Sequence, residues 1–426
     1  MPMVAELPIT MLACARLGII HSVVFGGFSG EACGLRAADS GSSVLIYMDG
    51  YYRSGKMIDH KASAEIAVAT AEKEGQKIDK VLVWKRYPEK YTSATPMVAG
   101  RDFFVDEVLK DFHRARVAPV PLDAEHPLFL MYTSGTTGKP KGCQHRTGGY
   151  LAYAAGTSKY IQDIHPEDVY WCMADIGWIT GHSYIVYGPL AVGASAVIFE
   201  GTPNYPDAGR PWRIAERLDV NIFHTSPTAI RMLRKAGADE PGKYNYRFKH
   251  MTTVGEPIEP EVWRWYYEVV GKGKAVIVDT WWQTETGGFL CSTKPALDLM
   301  KPGSAGPGMP GIYPVILDEN AKEMSPGTGR AGNLCIRNPW PGIMQTIWGD
   351  HDRFARQYYS KYCKDKTSKR WQDWPYFAGD GALHAADGYF RILGRVDDVI
   401  NVAGHRLGTK ELESACLTVE EVAEAA

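Results

Sequence analysis

Apolar positions recur at two spacings along this chain, and the two spacings take turns. Residues 6–17 carry Ile9, Leu12, Ala13 and Leu17 at helical spacing, with Arg16 breaking the stripe and Gly18 as a stop. A β-branched run at 22–25 predicts a strand that ends in the turn Gly26-Gly27-Phe28-Ser29-Gly30. A helix over 31–38 and a strand over 43–48 follow. Residues 57–78 read as a helix with a polar outside, and 81–83 as a short strand. The stretch 90–125 is mixed and charged, which predicts a surface excursion. From 127 the rhythm resumes with strand 127–131, helix 147–160, strand 169–173, helix 182–190, strand 195–199 and a helix from 213. Strand 221–224, helix 227–235, a helix near 259 opened by prolines and strand 274–278 complete this part. Strand and helix in alternation mark a mostly parallel sheet covered by helices. From about 305 the texture changes to short β-branched runs at 312–317 and 333–336, a helix over 352–362 and a hairpin through 377–392. These predict a small barrel-like β subdomain.

Composition narrows the picture. A chain of 426 residues exceeds one core and implies two or three subdomains. A net charge of -2 gives no bulk attraction to nucleic acid or to an anionic membrane. No apolar run approaches the length of a membrane span, and nothing at the start has the form of a signal peptide. The eight cysteines are scattered, with no C-x-x-C pair. That argues against a zinc site or a disulfide framework and fits a reducing, cytoplasmic setting. Twelve tryptophans point to aromatic-lined pockets.

Candidate chemistry begins after the strand at 127–131. Thr133, Ser134, Gly135, Thr136, Thr137, Gly138, Lys139, Pro140 and Lys141 form a run of hydroxyls, glycines and ammonium groups. Such a loop offers unshielded backbone N–H groups and positive charge to a polyphosphate. It is not a Walker A loop: the spacing differs, and Pro140 follows the lysine where Ser or Thr would hold magnesium. Further glycine-bearing loops follow other strands, at 174–182, 251–257 and 279–287. Loops at strand ends of an open parallel sheet meet at one crevice. No G-x-S-x-G elbow, Ser-His-acid set or kinase signature is present, which excludes a serine hydrolase and a protein kinase.

The string Tyr132-Thr133-Ser134-Gly135-Thr136-Thr137-Gly138-Lys139-Pro140-Lys141-Gly142 resembles the phosphate loop of the acyl-adenylate-forming enzymes, which include acyl-CoA synthetases, luciferases and peptide-synthetase adenylation domains. Later segments narrow the resemblance to the acetyl-CoA synthetase branch, nearly end to end. It implies ATP, Mg2+ and coenzyme A as ligands and acetate as the carboxylate. The protein needs no nucleophile of its own, because the substrate carboxylate attacks. By the same resemblance, Ser134 to Lys141 hold the outer phosphates, Glu285 holds the metal and Thr284 contacts the α-phosphate. Gly255, Glu256 and Pro257 border the adenine, and Trp281 packs on it. Asp380 binds the ribose, with Arg395 beside it, while Arg406 neutralises phosphate charge. The rest of the strand-end segment, Asp279, Thr280 and Gln283, belongs to the same nucleotide-binding group. Trp282 limits the acyl pocket, together with Ile179, Thr180 and Val254. Ile179 stands where the branch commonly has valine, and its extra methylene tightens the pocket. Phe25, Gly26, Gly27, Arg53 and Lys56 correspond to the CoA contacts, Thr180 adjoins them, and Lys56 replaces the usual second arginine, losing the bidentate fork. Asp397 matches the hinge of a mobile C-terminal domain. Residue pattern alone leaves open whether Trp282 is a core residue or a pocket wall. It leaves equally open whether Glu285 is a surface cap, Asp380 a turn residue, and Arg53, Lys56 and Arg406 solvated surface.

The fold class implied is α/β. An AMP-binding domain spans 1–396, with 305–396 as its β-rich part, and 397–426 holds the hinge and the start of an α+β C-terminal domain. Both ends look cut relative to the family, and its P-K-T-x-S-G-K lysine motif is absent. That implies weak ATP binding and poor turnover by this exact chain. The activity implied is acetate–CoA ligase (AMP-forming) by a monomer or homodimer. The alternatives are a propionyl or other short-chain ligase, and a nucleotide-binding module without catalysis.

Overall fold

The computed structural model describes residues 1–133 and 141–396, together with the backbone of the strands Val399–Val402 and His405–Gly408. Its centre is a six-stranded sheet in the order Cys291–Ser292, Val276–Trp281, His250–Thr253, Ile222–Thr225, Val169–Cys172, Ser195–Val197. All neighbours are parallel except the first pair. Period-two alternation divides these strands between two cores. Ile222, Val278, Tyr170 and Cys172 enter one cluster, while Phe223, Ile277 and Trp171 enter the other. Both faces are covered, so the polar strand residues His224, Thr225, His250, Thr252 and Thr253 are buried along with the apolar ones. Trp212 and Ile230 cover one face from helices Arg210–Arg217 and Pro227–Ala236. Tyr150 and Ala154 cover the other from helix Thr147–Tyr160.

A smaller parallel sheet pairs Val44–Met48, Lys80–Trp84 and Asp102–Phe104. Helices Gly30–Ser40 and His60–Lys73 pack on each other nearby. A side chain at Gly34 would lie 2.5 Å from the carbonyl oxygen of Ala67, so only glycine permits this approach.

The glycine- and lysine-rich run joins two antiparallel strands, Pro127–Thr133 and Lys141–Arg146, which pair from Thr133↔Lys141 inward. Thr346–Ile347 adds a third strand. A four-stranded antiparallel sheet then runs Pro314–Leu317, Gly332–Ile336, Tyr376–His384, Phe390–Arg395.

Several expectations change. Residues 22–25 are not a strand; the segment touches the sheet at a single bridge, His21↔Phe129. Arg53 and Lys56 close a hairpin of Gly50–Arg53 with Lys56–Asp59, so they do not sit in a loop, and the next helix starts only at His60. The helix at 182–190 divides into a π-helical turn His182–Tyr187 and the helix Gly188–Val192. Pro189 offers no N–H to the carbonyl of Ile185, which interrupts the ladder there. The antiparallel sheet does not close as a barrel among the described residues. The free edge of Phe390 is taken by residues 305–306, with Ala305 N–H donating to the Phe390 carbonyl and Phe390 N–H to that of Gly306, each at 2.9 Å. Among the described residues no helix is long and apolar enough to cross a membrane.

Candidate functional site

Thr253 and Asp279 are register partners on neighbouring parallel strands, so the chain beyond each runs toward the same edge of the sheet. A cavity of about 410 Å³ opens there. Gly255, Glu256 and Pro257 line it from one strand end, and Asp279, Thr280, Trp281, Trp282 and Gln283 from the next. Asp380 and Arg395 face them from the antiparallel sheet, where they too are register partners. Gly255 has φ +94°, a turn that glycine adopts without strain.

Two of these groups are carboxylates held out of water. Asp380 Oδ2 accepts from Trp281 Nε1 at 3.1 Å and from Gln283 Nε2 at 2.7 Å. Gln283 is itself fixed: its Nε2 also donates to the Ala378 carbonyl at 2.7 Å, and its Oε1 accepts from the Tyr376 hydroxyl at 2.7 Å. Burial pushes the Asp380 carboxyl up to about 6, against the charge of Arg395, whose Nη1 lies 3.9 Å from Oδ1. Burial pushes Asp279 up to about 7, against a hydrogen bond donated by the Thr253 hydroxyl. Glu256 serves structure as well as lining: it accepts from the Thr228 N–H at 2.7 Å, in the first turn of helix Pro227–Ala236, and from Arg231 at 3.0 Å. Burial raises its carboxyl, but Thr228 and Arg231 together hold it below the usual range.

A carboxylate of the opposite kind stands at the foot of the hairpin. Lys141, 4% exposed, places its Nζ 2.8 Å from Glu285. The Tyr358 hydroxyl hydrogen-bonds to both Glu285 and Lys141. Burial raises the Glu285 carboxyl, but the Lys141 charge and these hydrogen bonds outweigh it and hold the group below its ordinary value. The adjoining Thr284 carbonyl accepts from His145 Nε2 at 2.9 Å. Thr133 ends the strand on the other side of the hairpin. Among the described residues no cluster of three or more His, Cys, Asp or Glu forms a metal cage. One ionised carboxylate fits a magnesium ion shared with substrate phosphates, which takes only one or two carboxylates from the protein.

Trp282 settles between its two readings by fulfilling both. It is buried and lines the cavity, and its ring meets Tyr184 and Phe289 edge to face at 5.1 and 5.8 Å. Ile179 and Val254 belong to the same apolar cluster. Thr180 follows Ile179 and is half-buried. Phe25, Gly26 and Gly27 lie apart from this cavity. Phe25 and Gly26 line a second cavity of about 370 Å³, and Arg53 stands 5.7 Å from the Phe25 ring. Lys56 pairs with Arg53 across the hairpin. The segment leading to Ile179 and Thr180 reaches this region: Trp178 lies 5.7 Å from Phe25. Ser134, Gly135, Thr136, Thr137, Gly138, Lys139 and Asp397 lie outside the described residues. So does the side chain of Arg406, whose backbone pairs with Asn401.

Tyr358, Tyr376 and Phe289 join the site without a signal in the sequence. Each touches a candidate residue at least four residues away in sequence, and nothing in the local pattern separates Tyr358 or Tyr376 from the 23 tyrosines of the chain.

Known proteins share this sequence over its length. The acetyl-coenzyme A synthetase of Wolinella succinogenes is 50% identical over 427 residues, covering 100% of this chain and 63% of that protein. Those of Rhizobium rhizogenes and Syntrophobacter fumaroxidans are 50% and 49% identical over 428 residues, with 63% and 62% of each relative covered. The chain thus spans about 63% of the length of the curated relatives it matches. A family model described as "AMP-binding enzyme" matches residues 1–348, a span that holds the hairpin, the central sheet and most of the cavity wall, and the chain therefore belongs to that family.

Proposed function

We propose that this chain carries the activating site of an acetate–CoA ligase (AMP-forming). An acetate oxygen attacks the α-phosphorus of ATP. The bond from that phosphorus to the bridging oxygen breaks, and pyrophosphate leaves with the electron pair. The coenzyme A thiol then gives up its proton to solvent, its sulfur attacks the acyl carbon of the acetyl-adenylate, and AMP leaves with the pair of the broken C–O bond. The products are acetyl-CoA and AMP. The observation that carries this reading is the cavity itself: an indole, Trp282, bounds a space that also holds a buried carboxylate fixed by Trp281 and Gln283.

In this reading Asp380 accepts hydrogen bonds from the ribose hydroxyls, and Gly255, Glu256, Pro257 and Trp281 border the adenine. Asp279, Thr280 and Gln283 shape the same wall. Lys141 and the loop Thr133 to Lys139 neutralise the outer phosphates, Thr284 contacts the α-phosphate, and Arg395 and Arg406 balance charge nearby. Glu285 would hold Mg2+, which when bound neutralises phosphate charge. Ile179, Thr180, Val254 and Trp282 exclude longer acyl chains by overlap. Phe25, Gly26, Gly27, Arg53 and Lys56 receive coenzyme A. Residues 1–396 act as one AMP-binding domain with 305–396 as its β-rich part, and the hinge lies at Asp397. The enzyme works in the cytoplasm on acetate, ATP and coenzyme A.

The test is equilibrium binding of unreactive acyl-sulfamoyl adenosines with two-, three- and four-carbon acyl groups, alongside acetate-dependent pyrophosphate exchange. The two-carbon compound should bind tightest. Equal binding of the four-carbon compound would refute the acetate assignment. Tighter binding of the three-carbon compound would favour a propionate ligase. Binding without exchange would leave a nucleotide-binding module.

A further inference from the structure

A third cavity, of about 340 Å³, adjoins the first, and its lining is cationic. Arg353 and Arg356 enter it from helix His351–Tyr358; three residues apart, they share one face of that helix. Arg395 lines both this cavity and the first. Gly379, with φ +75°, lets Arg395 lie close: a side chain there would come within 2.8 Å of the guanidinium nitrogens. Among the described residues no carboxylate lines the cavity. Neither Arg353 nor Arg356 has an ion pair among the described residues. Like charges one helical turn apart repel each other, and Arg395, itself 3.9 Å from Asp380, borders them from a separate sheet. Such an arrangement gains stability when an anion enters.

The position of the cavity says which anion. Tyr358 lines it, and the hydroxyl of Tyr358 contacts Glu285 and Lys141. Asp380 lies on the other side of Arg395, in the first cavity. A nucleotide with its ribose at Asp380 would extend its phosphates past Arg395 toward Arg353 and Arg356. Planar guanidinium forks match phosphate oxygens two at a time. We propose that Arg353 and Arg356 bind a pyrophosphate group: the β- and γ-phosphates of ATP before the reaction, and free pyrophosphate after it. The nucleotide half of this proposal rests on the ATP reading above.

The experiment measures binding of ATP, AMP and inorganic pyrophosphate to the chain by titration calorimetry. It compares the unaltered protein with Arg353→Ala, Arg356→Ala and Arg353→Lys, each checked by thermal melting. Arg356 is exposed, so its truncation leaves the fold intact. Each alanine variant should bind ATP and pyrophosphate about ten- to a hundredfold more weakly, the range of a charge-assisted hydrogen bond. AMP affinity should stay within about twofold, because AMP lacks both phosphates, and Arg353→Lys should recover part of the loss. Unchanged ATP and pyrophosphate affinities would overturn the proposal, and so would an equal loss for AMP. Arginine-dependent pyrophosphate binding without binding of either nucleotide would support the arginine site and sink the ATP reading. Absence of pyrophosphate binding by the unaltered protein would sink the arginine site whatever ATP does.

Discussion

Replacing Asp279 by asparagine should remove a large pH dependence from the stability of this protein. Asp279 sits two residues before the end of the strand Val276–Trp281, buried, with one hydrogen bond from the Thr253 hydroxyl. Burial moves its carboxyl from an ordinary 3.8 to about 7. A carboxyl whose folded value is raised stabilises the fold relatively at low pH, where it is neutral in both states. That contribution starts to be lost near pH 4, when the unfolded chain ionises, and is fully lost once pH passes about 7. The whole loss is about 4 kcal/mol, and about 3 kcal/mol of it falls between pH 5 and 8. Asparagine keeps the shape and the acceptor for Thr253 but cannot ionise.

The assay is urea unfolding of both proteins at intervals from pH 5 to 8. Buried histidines complicate either curve alone. Burial lowers His145 and His224 to about 3, and His182 and His250 to about 4. A lowered histidine has the opposite sign: its contribution is present above about 6.5 and is lost as pH falls toward the folded value. These terms are common to both proteins and cancel in the difference. The variant should therefore gain on the original by about 3 kcal/mol across the range, rising with pH. A flat difference would show that Asp279 is ionised or solvated throughout and would refute the argument.

Tyr358→Phe should cost about 1–3 kcal/mol in urea unfolding, because it strips a buried hydrogen bond from Glu285 and Lys141. Trp282→Gly should cost about 3–5 kcal/mol of stability, the scale of emptying a buried tryptophan site. The same variant should bind the four-carbon acyl-sulfamoyl adenosine more tightly relative to the two-carbon one, as calorimetry would measure. Gly34→Ala should lower the melting temperature through a loss of about 1–3 kcal/mol, because the added methyl meets the Ala67 carbonyl oxygen.

The central sheet is legible where its strands carry apolar runs, at 169–173, 195–199, 221–224 and 274–278, whereas the strand His250–Thr253, three of whose four residues are polar although all are buried, passes for part of the loop at 251–257. Helices 6–17 and 147–160 were legible to the residue. The strand Lys141–Arg146 is not legible as one, although it carries the hairpin on which the site depends. Its sequence is polar, yet five of its six residues are buried. Lys141 is matched by Glu285, Gln144 by Gln345 and His145 by the Thr284 carbonyl, all more than 130 residues away. A polar strand whose partners are distant carries no local signature. The hairpin at Arg53 and Lys56 did carry one: Ser54 and Gly55 both have positive φ, the two-residue turn that matches strand twist. Among the candidate site residues, those directly after strand ends could be found by position, because parallel strands deliver consecutive residues to the crevice. The groups that hold them, Tyr376 on Gln283 and Tyr358 on Glu285, become visible only when distant elements meet.

The three buried carboxylates differ in a way that bears on how one cleft can accept a polyanion. Asp279 and Asp380 are raised by burial, so about half of Asp279 is neutral near pH 7 and about half of Asp380 near pH 6. Glu285 is equally removed from water but stays ionised, because Lys141 and Tyr358 stand against it. Three full negative charges would repel a triphosphate. The cleft instead carries one paired carboxylate beside a lysine, and two whose ionisation burial opposes. A carboxyl near its titration point can accept a hydrogen bond from a sugar hydroxyl when ionised, and costs little repulsion toward phosphate when it is not. Among the described residues, the positive charges of Lys141, Arg395, Arg353 and Arg356 lie at the Tyr358 end. In the proposed reading, that separation of near-neutral from cationic walls sets which end of the nucleotide enters where, before any contact with the base is made.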